Sequence, residues 1–201
     1  MRITKRALEL VVASVVLILA SPLLLLGALT VLLGSGRPIF FGHRRLGHEG
    51  VPFRCWKLRT MCVGAESELE PDSALNERYR LNGFKIPNDE DPRVTRVGGW
   101  LRRSYLDEIP QLFNVLIGTM SLVGPRPLVE DELELYGENV EELLRVRPGI
   151  FGEWTSRGRN RPPYPERAAM ELEYLRNRSL AKDLAILARS IPVVFKGQGD
   201  R

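Results

Sequence analysis

The sequence has few of the residues that build metal clusters or disulfide frameworks. Its 201 residues include two cysteines and two histidines. Cys55 and Cys62 lack the spacing of a zinc site. A disulfide between them is the alternative to free thiols, and we expect free thiols because two cysteines in a chain of this size are typical of a reducing compartment. His43 and His48 flank a glycine-rich turn and are predicted to be loop residues. The chain also lacks internal repeats and low-complexity tracts, which leaves one modest domain after the apolar N-terminus.

Charge of neither sign dominates the chain. The 29 lysines and arginines exceed the 25 acidic residues by a net +4. An excess this small suits anionic lipid headgroups, phosphorylated substrates or nucleic acid, and it does not choose among them.

One long segment lacks charge altogether, from Leu10 to Leu33. An apolar run longer than about 18 residues is typical of a membrane helix. The alternative is a secretory signal peptide, whose core spans about 7–15 residues and ends in a small-residue cleavage site. This run is too long and no such site follows it, so we favour a membrane segment.

Basic residues lie on both sides of this run. Lys5 and Arg6 precede it, and Arg44 and Arg45 follow it. Because basic residues stay cytoplasmic, a straight span would leave one cluster on the wrong face. A helix that enters, breaks at Ser21-Pro22 and returns keeps both clusters cytoplasmic, since sharp kinks usually occur at proline. An ordinary span with a tolerated proline is the alternative, and composition leaves it open.

The remaining pattern predicts short strands among several helices. Residues 37–41 and 51–61 read as strands, and residues 121–127 as a rigid turn. Helices are predicted over the ranges 64–82, 105–118, 130–145, 165–177 and 179–197. The last helix sets Leu184, Leu187, Ile191 and Val194 on one side, which suits a membrane surface or the protein core equally well.

An acidic pair, Asp107-Glu108, precedes Pro110. Proline fits the first turn of a helix, which makes Asp107 a reasonable N-cap. A carboxylate at this position can also act as a nucleophile on phosphorus. Arginine binds phosphate through two parallel hydrogen bonds. Prolines on both sides of Arg126 stiffen its backbone, which suits a role in positioning a phosphate.

Several longer motifs resemble those of the bacterial sugar transferases, the small monotopic phosphoglycosyl transferases. The motifs, in family order, are ASP (20–22), FRCWKLRTM (53–61), DPRVTRVGGWLRRSYLDEIPQLFNVLIGTMSLVGPRP (91–127), VRPGIFG (146–152) and GRN (158–160). The resemblance runs almost from end to end. It implies an α+β, mostly helical fold, with a re-entrant membrane helix over residues 1–36 broken at Ser21-Pro22. Residues 37–201 are then a catalytic domain with short strands and interfacial amphipathic helices, on the cytoplasmic face of the bacterial inner membrane.

The resemblance also implies a reaction in two steps. Asp107 matches the nucleophile that attacks the β-phosphate of a UDP-sugar and expels UMP. Polyprenol phosphate, of the undecaprenyl type, then takes the phosphosugar. Glu108 matches the second member of the family's Asp-Glu dyad, and its implied role is to bind the metal or to transfer a proton. The family uses Mg²⁺, and Asp107 and Glu108 are the expected metal ligands. The implied phosphate- and nucleotide-binding residues are Lys57, Arg59, Arg102, Arg126 and Arg159.

The same family leads us to expect contact with membrane phospholipid and none with nucleic acid, and it allows a homodimer. The chain departs from the family pattern at Thr119, where GDMS has become GTMS, and in the loop from Val63 to Asp91, which is longer than in the smallest members. A third departure lies in residues 152–160. Where the family commonly reads GWAQVNGRN, this chain reads GEWTSRGRN, with Glu153, Thr155 and Arg157 in place of Trp, Gln and Asn. These changes leave the identity of the transferred sugar undetermined, whereas the residues expected to carry the reaction are intact.

Two other functions remain open from the residues alone. A membrane-bound binding module would use Asp107 only as a helix cap. A glycosyltransferase without phosphoryl transfer would release UDP and not UMP.

Overall fold

The computed structural model describes residues 2–69, 74–84, 86–158 and 162–196. The protein is mostly helical with two small sheets, as expected. The helices are α1 (Arg2–Ser35), α2 (Ala74–Leu81), α3 (Arg96–Ser104), α4 (Gln111–Ile117), α5 (Val140–Leu144), α6 (Glu166–Arg176) and α7 (Leu180–Phe195). The strands are β1 (Phe40–Leu46), β2 (Pro52–Leu58), β3 (Ser121–Val123) and β4 (Gly149–Phe151).

Helix α1 is long and apolar enough to cross a membrane, by length and composition. It remains helical through Pro22, so Ser21-Pro22 does not end the helix, and the re-entrant turn expected there stays a prediction. Proline has no N–H to donate to the carbonyl of Ile18, four residues back. The Ser21 hydroxyl donates to that carbonyl instead, at 2.8 Å. The serine therefore repairs the one backbone hydrogen bond that the proline removes.

The N-terminal end of α1 is held by polar contacts. The ammonium of Lys5 lies 2.7 Å from the Asp183 carboxylate, in α7. Arg6 donates to the carbonyl of Leu116 at the end of α4, at 3.1 Å. Glu9 is buried and accepts a hydrogen bond from the Ser121 hydroxyl in β3. These contacts join the first turns of α1 to three elements of the globular part, residues 40–196.

The C-terminal end of α1 contacts the same globular part. Val31 packs in a buried cluster with Leu58 of β2 and Leu101 of α3. Arg59 donates to the carbonyls of Ser35 and Gly36, at 2.6 and 2.9 Å. Both ends of a helix that would be about 51 Å long if straight are therefore docked on one body.

Strands β1 and β2 form an antiparallel hairpin, in which Phe40 pairs with Leu58 and His43 with Cys55. The two predicted strands are thus confirmed, with β1 shifted toward the turn. The loop assignment of His43 is wrong, because it lies within β1. His48 does lie in the connecting 3₁₀ turn, as predicted.

Strands β3 and β4 pair in parallel, with Ser121 opposite Gly149 and Val123 opposite Phe151. The prediction of a turn over residues 121–127 missed β3, since three residues are too few to show a period. A side chain on Gly149 would place its Cβ 2.1 Å from the backbone nitrogen of Gly124. Glycine therefore lets the Gly-Pro-Arg-Pro turn lie directly against β4.

Several helix predictions need correction. Of the range 64–82, only α2 is α-helical among the described residues, and Ser67–Leu69 form a 3₁₀ turn. Of the range 105–118, only α4 is α-helical, after a 3₁₀ turn over Leu106–Glu108.

The acidic stretch 130–145 is a run of 3₁₀ turns (Glu130–Asn139) followed by α5, and Gly137, at a positive φ of 51°, interrupts the run. In α7 the buried positions are Asp183, Ile186 and Ser190, whereas Leu184 and Ile191 of the predicted apolar stripe are more than half exposed. The core therefore takes one face of α7 and leaves an apolar face uncovered. Helix α6 confirms the prediction over 165–177.

Candidate active site

The two adjacent carboxylates lie in a 3₁₀ turn, Leu106–Glu108, between α3 and α4. Tyr105 ends α3 in the left-handed region, at φ 59°. Helix α4 begins after Pro110, which occupies its N-cap position, so the prediction that Asp107 caps this helix is wrong. Asp107 is only 4% exposed. A tight turn, and not a helix start, therefore holds this carboxylate in the interior of a cavity.

Glu108 forms an ion pair with Lys57 of β2. The ammonium lies 2.5 Å from the carboxylate, and about a third of each side chain is exposed. Burial alone would lower the pKa of Lys57, but the negative charges of Glu108 and Asp107 outweigh it and raise that pKa. Lys57 is therefore a permanent cation beside both carboxylates.

Strand β1 contributes two further polar side chains, His43 and Arg45, on the same face of the strand. Arg45 donates to Nδ1 of His43 at 3.2 Å, and to the carbonyl of Pro127 at 3.2 Å. Burial, followed by the charges of Arg45, Lys57 and Arg126, lowers the pKa of His43 from 6.5 to about 3. His43 is therefore neutral at physiological pH, with Nδ1 as an acceptor.

Sequence reasoning missed both residues. Their i, i+2 spacing in a strand beside the Lys57 strand was the available signal, because alternate residues share one face.

The Gly-Pro-Arg-Pro turn that carries Arg126 is held in place by hydrogen bonds to a buried carboxylate. The backbone N–H of Arg126 donates to Glu171 of α6 at 3.1 Å. Glu171 is almost fully buried and also accepts from the indole of Trp154 at 2.6 Å and the hydroxyl of Tyr136 at 2.5 Å. Four segments of the chain thus meet on one carboxylate, which positions the backbone of Arg126.

The other predicted arginines differ in how their donors are used. Arg102 of α3 donates to the Thr60 hydroxyl and to the Asn88 amide, both at 2.8 Å. Arg59 makes four hydrogen bonds to backbone carbonyls and is nearly buried, so its guanidinium holds the end of α1. Arg159 lies outside the described residues.

A cavity of about 490 Å³ brings the remaining predicted residues together. Its lining includes Lys57, Arg59, Arg102, Asp107, Glu108 and Arg126. The missed pair, His43 and Arg45, lines it as well. Arginine and lysine donors around a buried carboxylate suit a phosphorylated ligand whose phosphorus is brought to a nucleophile. The two cysteines are free thiols, as predicted, and Cys55 is buried beside this site.

The comparisons with known proteins agree with this chemistry. A family model described as bacterial sugar transferase matches residues 1–197. The exopolysaccharide production protein ExoY of Sinorhizobium fredii is 45% identical over 98% of this chain and 88% of its own length. The undecaprenyl-phosphate galactose phosphotransferase of Salmonella typhimurium is 42% identical, over 82% of this chain and 35% of its own length. The UDP-glucose:undecaprenyl-phosphate glucose-1-phosphate transferase of Escherichia coli is 37% identical, over 98% of this chain and 40% of its own length.

The matched region includes α1 as well as the cavity and its carboxylates. The resemblance seen in the motifs is thereby confirmed at the level of the family. The chain belongs to the bacterial sugar transferase family.

Proposed function

We propose that this protein transfers a phosphosugar from a UDP-sugar to a polyprenol phosphate of the undecaprenyl type, with release of UMP. The observation that carries the proposal is the buried Asp107 carboxylate, in a cavity whose other charged groups are mainly cations. The named relatives from Salmonella and Escherichia coli act on undecaprenyl phosphate, and the latter on UDP-glucose. The product would begin the assembly of a bacterial glycan at the membrane.

In the first step a carboxylate oxygen of Asp107 attacks the β-phosphorus of the UDP-sugar. A P–O bond forms to Asp107 while the bond from the β-phosphorus to the bridging oxygen breaks. The bridging oxygen leaves with UMP, and the phosphosugar remains as an acyl phosphate. The low exposure of Asp107 keeps water away from this reactive intermediate.

In the second step a phosphate oxygen of the polyprenol phosphate attacks the same phosphorus. The bond to Asp107 breaks, and the carboxylate is regenerated without any further reactant. The product is a polyprenyl-diphospho-sugar. Two displacements replace one, and each uses the same set of phosphate-binding side chains.

The cations divide the work by position. Lys57 is held against Glu108 and close to Asp107, so it balances charge at the attacked phosphorus. Arg126, positioned through its backbone by Glu171, offers a guanidinium fork to the diphosphate. Arg102 is held in place by Thr60 and Asn88 and binds the phosphate that is not attacked.

The donor set fits a magnesium ion. Mg²⁺ is usually bound through one or two carboxylates together with substrate phosphates and water, and Asp107 and Glu108 supply the two carboxylates. Among the described residues there is no cluster of three or more metal-ligating side chains, so substrate phosphate would complete the site. When bound, the ion offsets phosphate charge in the displacement.

The path of α1 supports a re-entrant topology, in which both ends return to the cytoplasmic face of the inner membrane. A straight span places only one end on the catalytic side, whereas here both ends of α1 contact the globular part. Exposed apolar side chains on α3, α4 and α7, namely Trp100, Ile117 and Ile191, suit contact with phospholipid around that helix.

The test is the nucleotide that leaves. The purified protein in nanodiscs is mixed with Mg²⁺, undecaprenyl phosphate and a panel of UDP-sugars. We expect UMP from at least one donor, and loss of at least about 10³-fold in the Asp107→Asn variant, since an amide is a poor nucleophile. Asp89→Asn, an exposed change a few residues before α3, is the control and should retain activity.

The alternatives give different outcomes in the same assay. Release of UDP would indicate a glycosyltransferase without phosphoryl transfer. Full activity of Asp107→Asn would contradict the covalent mechanism. A folded protein that releases no nucleotide from the panel would favour a binding module.

A further inference from the structure

A second, smaller cavity adjoins the one that holds the carboxylates. Its volume is about 80 Å³. A water needs about 10–15 Å³ by this measure, so the space corresponds to roughly five to eight waters, about the size of one sugar ring. Lys57, Glu108 and Arg126 line both cavities, so the charged centre of the site lies at their junction.

The order in which the groups of a UDP-sugar are bonded determines how the molecule can lie across this junction. The sugar is attached to the β-phosphate, and the nucleoside is attached through the α-phosphate on the other side. When the β-phosphorus meets Asp107, the two ends must therefore diverge. The 490 Å³ cavity suits the nucleotide, and the 80 Å³ cavity suits the sugar.

The smaller cavity has the chemistry of a sugar site. Neutral hydrogen-bonding groups line it, among them His43, Gln111 and Thr155. Sugar hydroxyls both donate and accept, so they pair well with imidazole and amide groups. The Thr155 hydroxyl is engaged by the N–H and the carbonyl of Gly152, at 2.7 and 3.1 Å, so Thr155 acts through the shape of the wall. Gln111 is 4% exposed and lines the smaller cavity but not the larger. Within the described residues its side-chain amide makes no hydrogen bond to the protein.

The chain departs from the family motif at each residue from 153 to 157. Trp154 lines only the larger cavity and Ser156 lines neither. The other three replacements, Glu153, Thr155 and Arg157, are not equivalent in the structure. Glu153 pairs with Arg189 of α7 at 3.1 Å and lines neither cavity. Arg157 is half exposed, lies 3.5 Å from Glu153 and also lines neither. Thr155 alone of the three lines both cavities.

We infer that the smaller cavity is the subsite for the transferred sugar, and that Thr155 and Gln111 determine which sugar it accepts. This inference rests on the proposed function. The Thr155 hydroxyl accepts from the backbone N–H of Gly152 at 2.7 Å, so its position at the wall of the cavity is fixed. A longer side chain at residue 155 would fill space that the sugar needs.

The experiment compares donors and not overall activity. UMP release is measured with UDP-glucose and UDP-galactose, and the ratio of the two kcat/KM values is taken for each protein. Thr155→Gln, which restores the common family residue, should change the ratio by about tenfold. Arg157→Asn, which restores the family residue outside the cavities, should leave the ratio within about twofold. The tenfold change corresponds to about 1.4 kcal/mol of discrimination.

A second variant guards against a folding defect, because Thr155→Gln removes the partner of the Gly152 N–H. Gln111→Leu keeps the size of the side chain, leaves that turn intact and removes the amide from the far wall. It should also change the ratio, with the melting temperature in detergent near that of the unaltered protein.

Two results would overturn the inference, and they are distinguishable. Unchanged ratios in both Thr155→Gln and Gln111→Leu, with UMP still released, would remove the sugar subsite and leave the proposed function intact. No UMP from the unaltered protein with the whole panel of UDP-sugars would overturn both.

Discussion

At the scale of single residues, the site depends on charged pairs that come from different elements. Lys57 belongs to β2 and Glu108 to the turn before α4, yet their side chains meet at 2.5 Å. His43 is held neutral beside Arg45, so it meets a ligand as an uncharged imidazole and not as a cation. Such pairs set both the electrostatics of the cavity and its response to pH.

Removing the cation at the dyad should weaken phosphate binding and transfer together. In Lys57→Met, Glu108 loses its partner and the attacked phosphorus loses a nearby positive charge. We expect kcat/KM for UMP release to fall by at least about tenfold, in line with the loss of one charge-assisted contact. Arg44→Met, an exposed change on the neighbouring strand, should stay near the unaltered value. Equal effects of the two variants would contradict a specific role for Lys57.

The lowered pKa of His43 makes stability depend on pH. In the unfolded chain the pKa returns to about 6.5, so the unfolded state binds the proton first as the pH falls. Stability from this group is complete above about pH 6.5 and is lost progressively as the pH falls toward 3. Between about pH 7 and pH 5 the loss amounts to about 2 kcal/mol.

His43→Asn should remove that share of the acid sensitivity. The measurement is the shift in melting temperature between pH 7 and pH 5 in detergent, which should be smaller in His43→Asn than in the unaltered protein. His48→Asn changes a more exposed histidine in the turn after β1, and it serves as the control. If both variants retain the full acid sensitivity, another group is responsible.

At the scale of elements, α1 combines an apolar surface with polar attachments at its two ends. Its exposed side chains are almost all apolar over the central turns, whereas Lys5, Glu9 and the carbonyl of Ser35 are engaged by the globular part. Pro22 lies between these attachments without ending the helix. The helix is thus positioned by its ends, and Ser21 preserves its middle.

A double-mutant cycle tests the repair by Ser21. Ser21→Ala should destabilise the protein by roughly 0.5–2 kcal/mol, because the carbonyl of Ile18 then has no donor in an apolar environment. In the Pro22→Ala background the alanine supplies a backbone N–H that can reach that carbonyl, so the same serine change should cost little. Melting temperatures of the four proteins in detergent give the coupling. An equal cost in both backgrounds would show that the hydroxyl does not compensate for the proline.

At the scale of the whole molecule, the docking of both ends of α1 predicts a topology. Cysteine replaces the exposed Ile3 in one variant and the exposed Arg37 in another, with Cys62 changed to serine. A membrane-impermeant thiol reagent should label both sites from the cytoplasmic side in inverted vesicles, and neither in intact spheroplasts. Labelling of one site from each side would indicate a span instead.

Part of this organisation could be predicted from the sequence because it depends on neighbouring residues. The apolar run and the hairpin strands follow from local periodicity, as do helices α6 and α7. The family follows from motifs that keep their order over most of the chain. The turn that holds Asp107 was misassigned, because a proline at an N-cap and a proline in the first helical turn have the same sequence signature.

The rest required the tertiary structure, since it depends on which distant elements meet. Arg59 sits in a basic motif typical of phosphate contacts, but the end of α1 arrives beside it and takes its donors. Buried acids such as Glu132 and Glu171 look like solvated charge in the sequence, and only their inward partners explain them.

The sequence by itself therefore determined the long apolar helix, the acidic pair and the family, because each is written in adjacent residues or in the order of the motifs. Only the tertiary structure decided that both ends of α1 dock on one body, that Arg59 holds the helix end, and that Thr155 reaches the smaller cavity. The physical reason is that hydrogen-bond partners, burial and cavities belong to pairs of residues far apart in the chain.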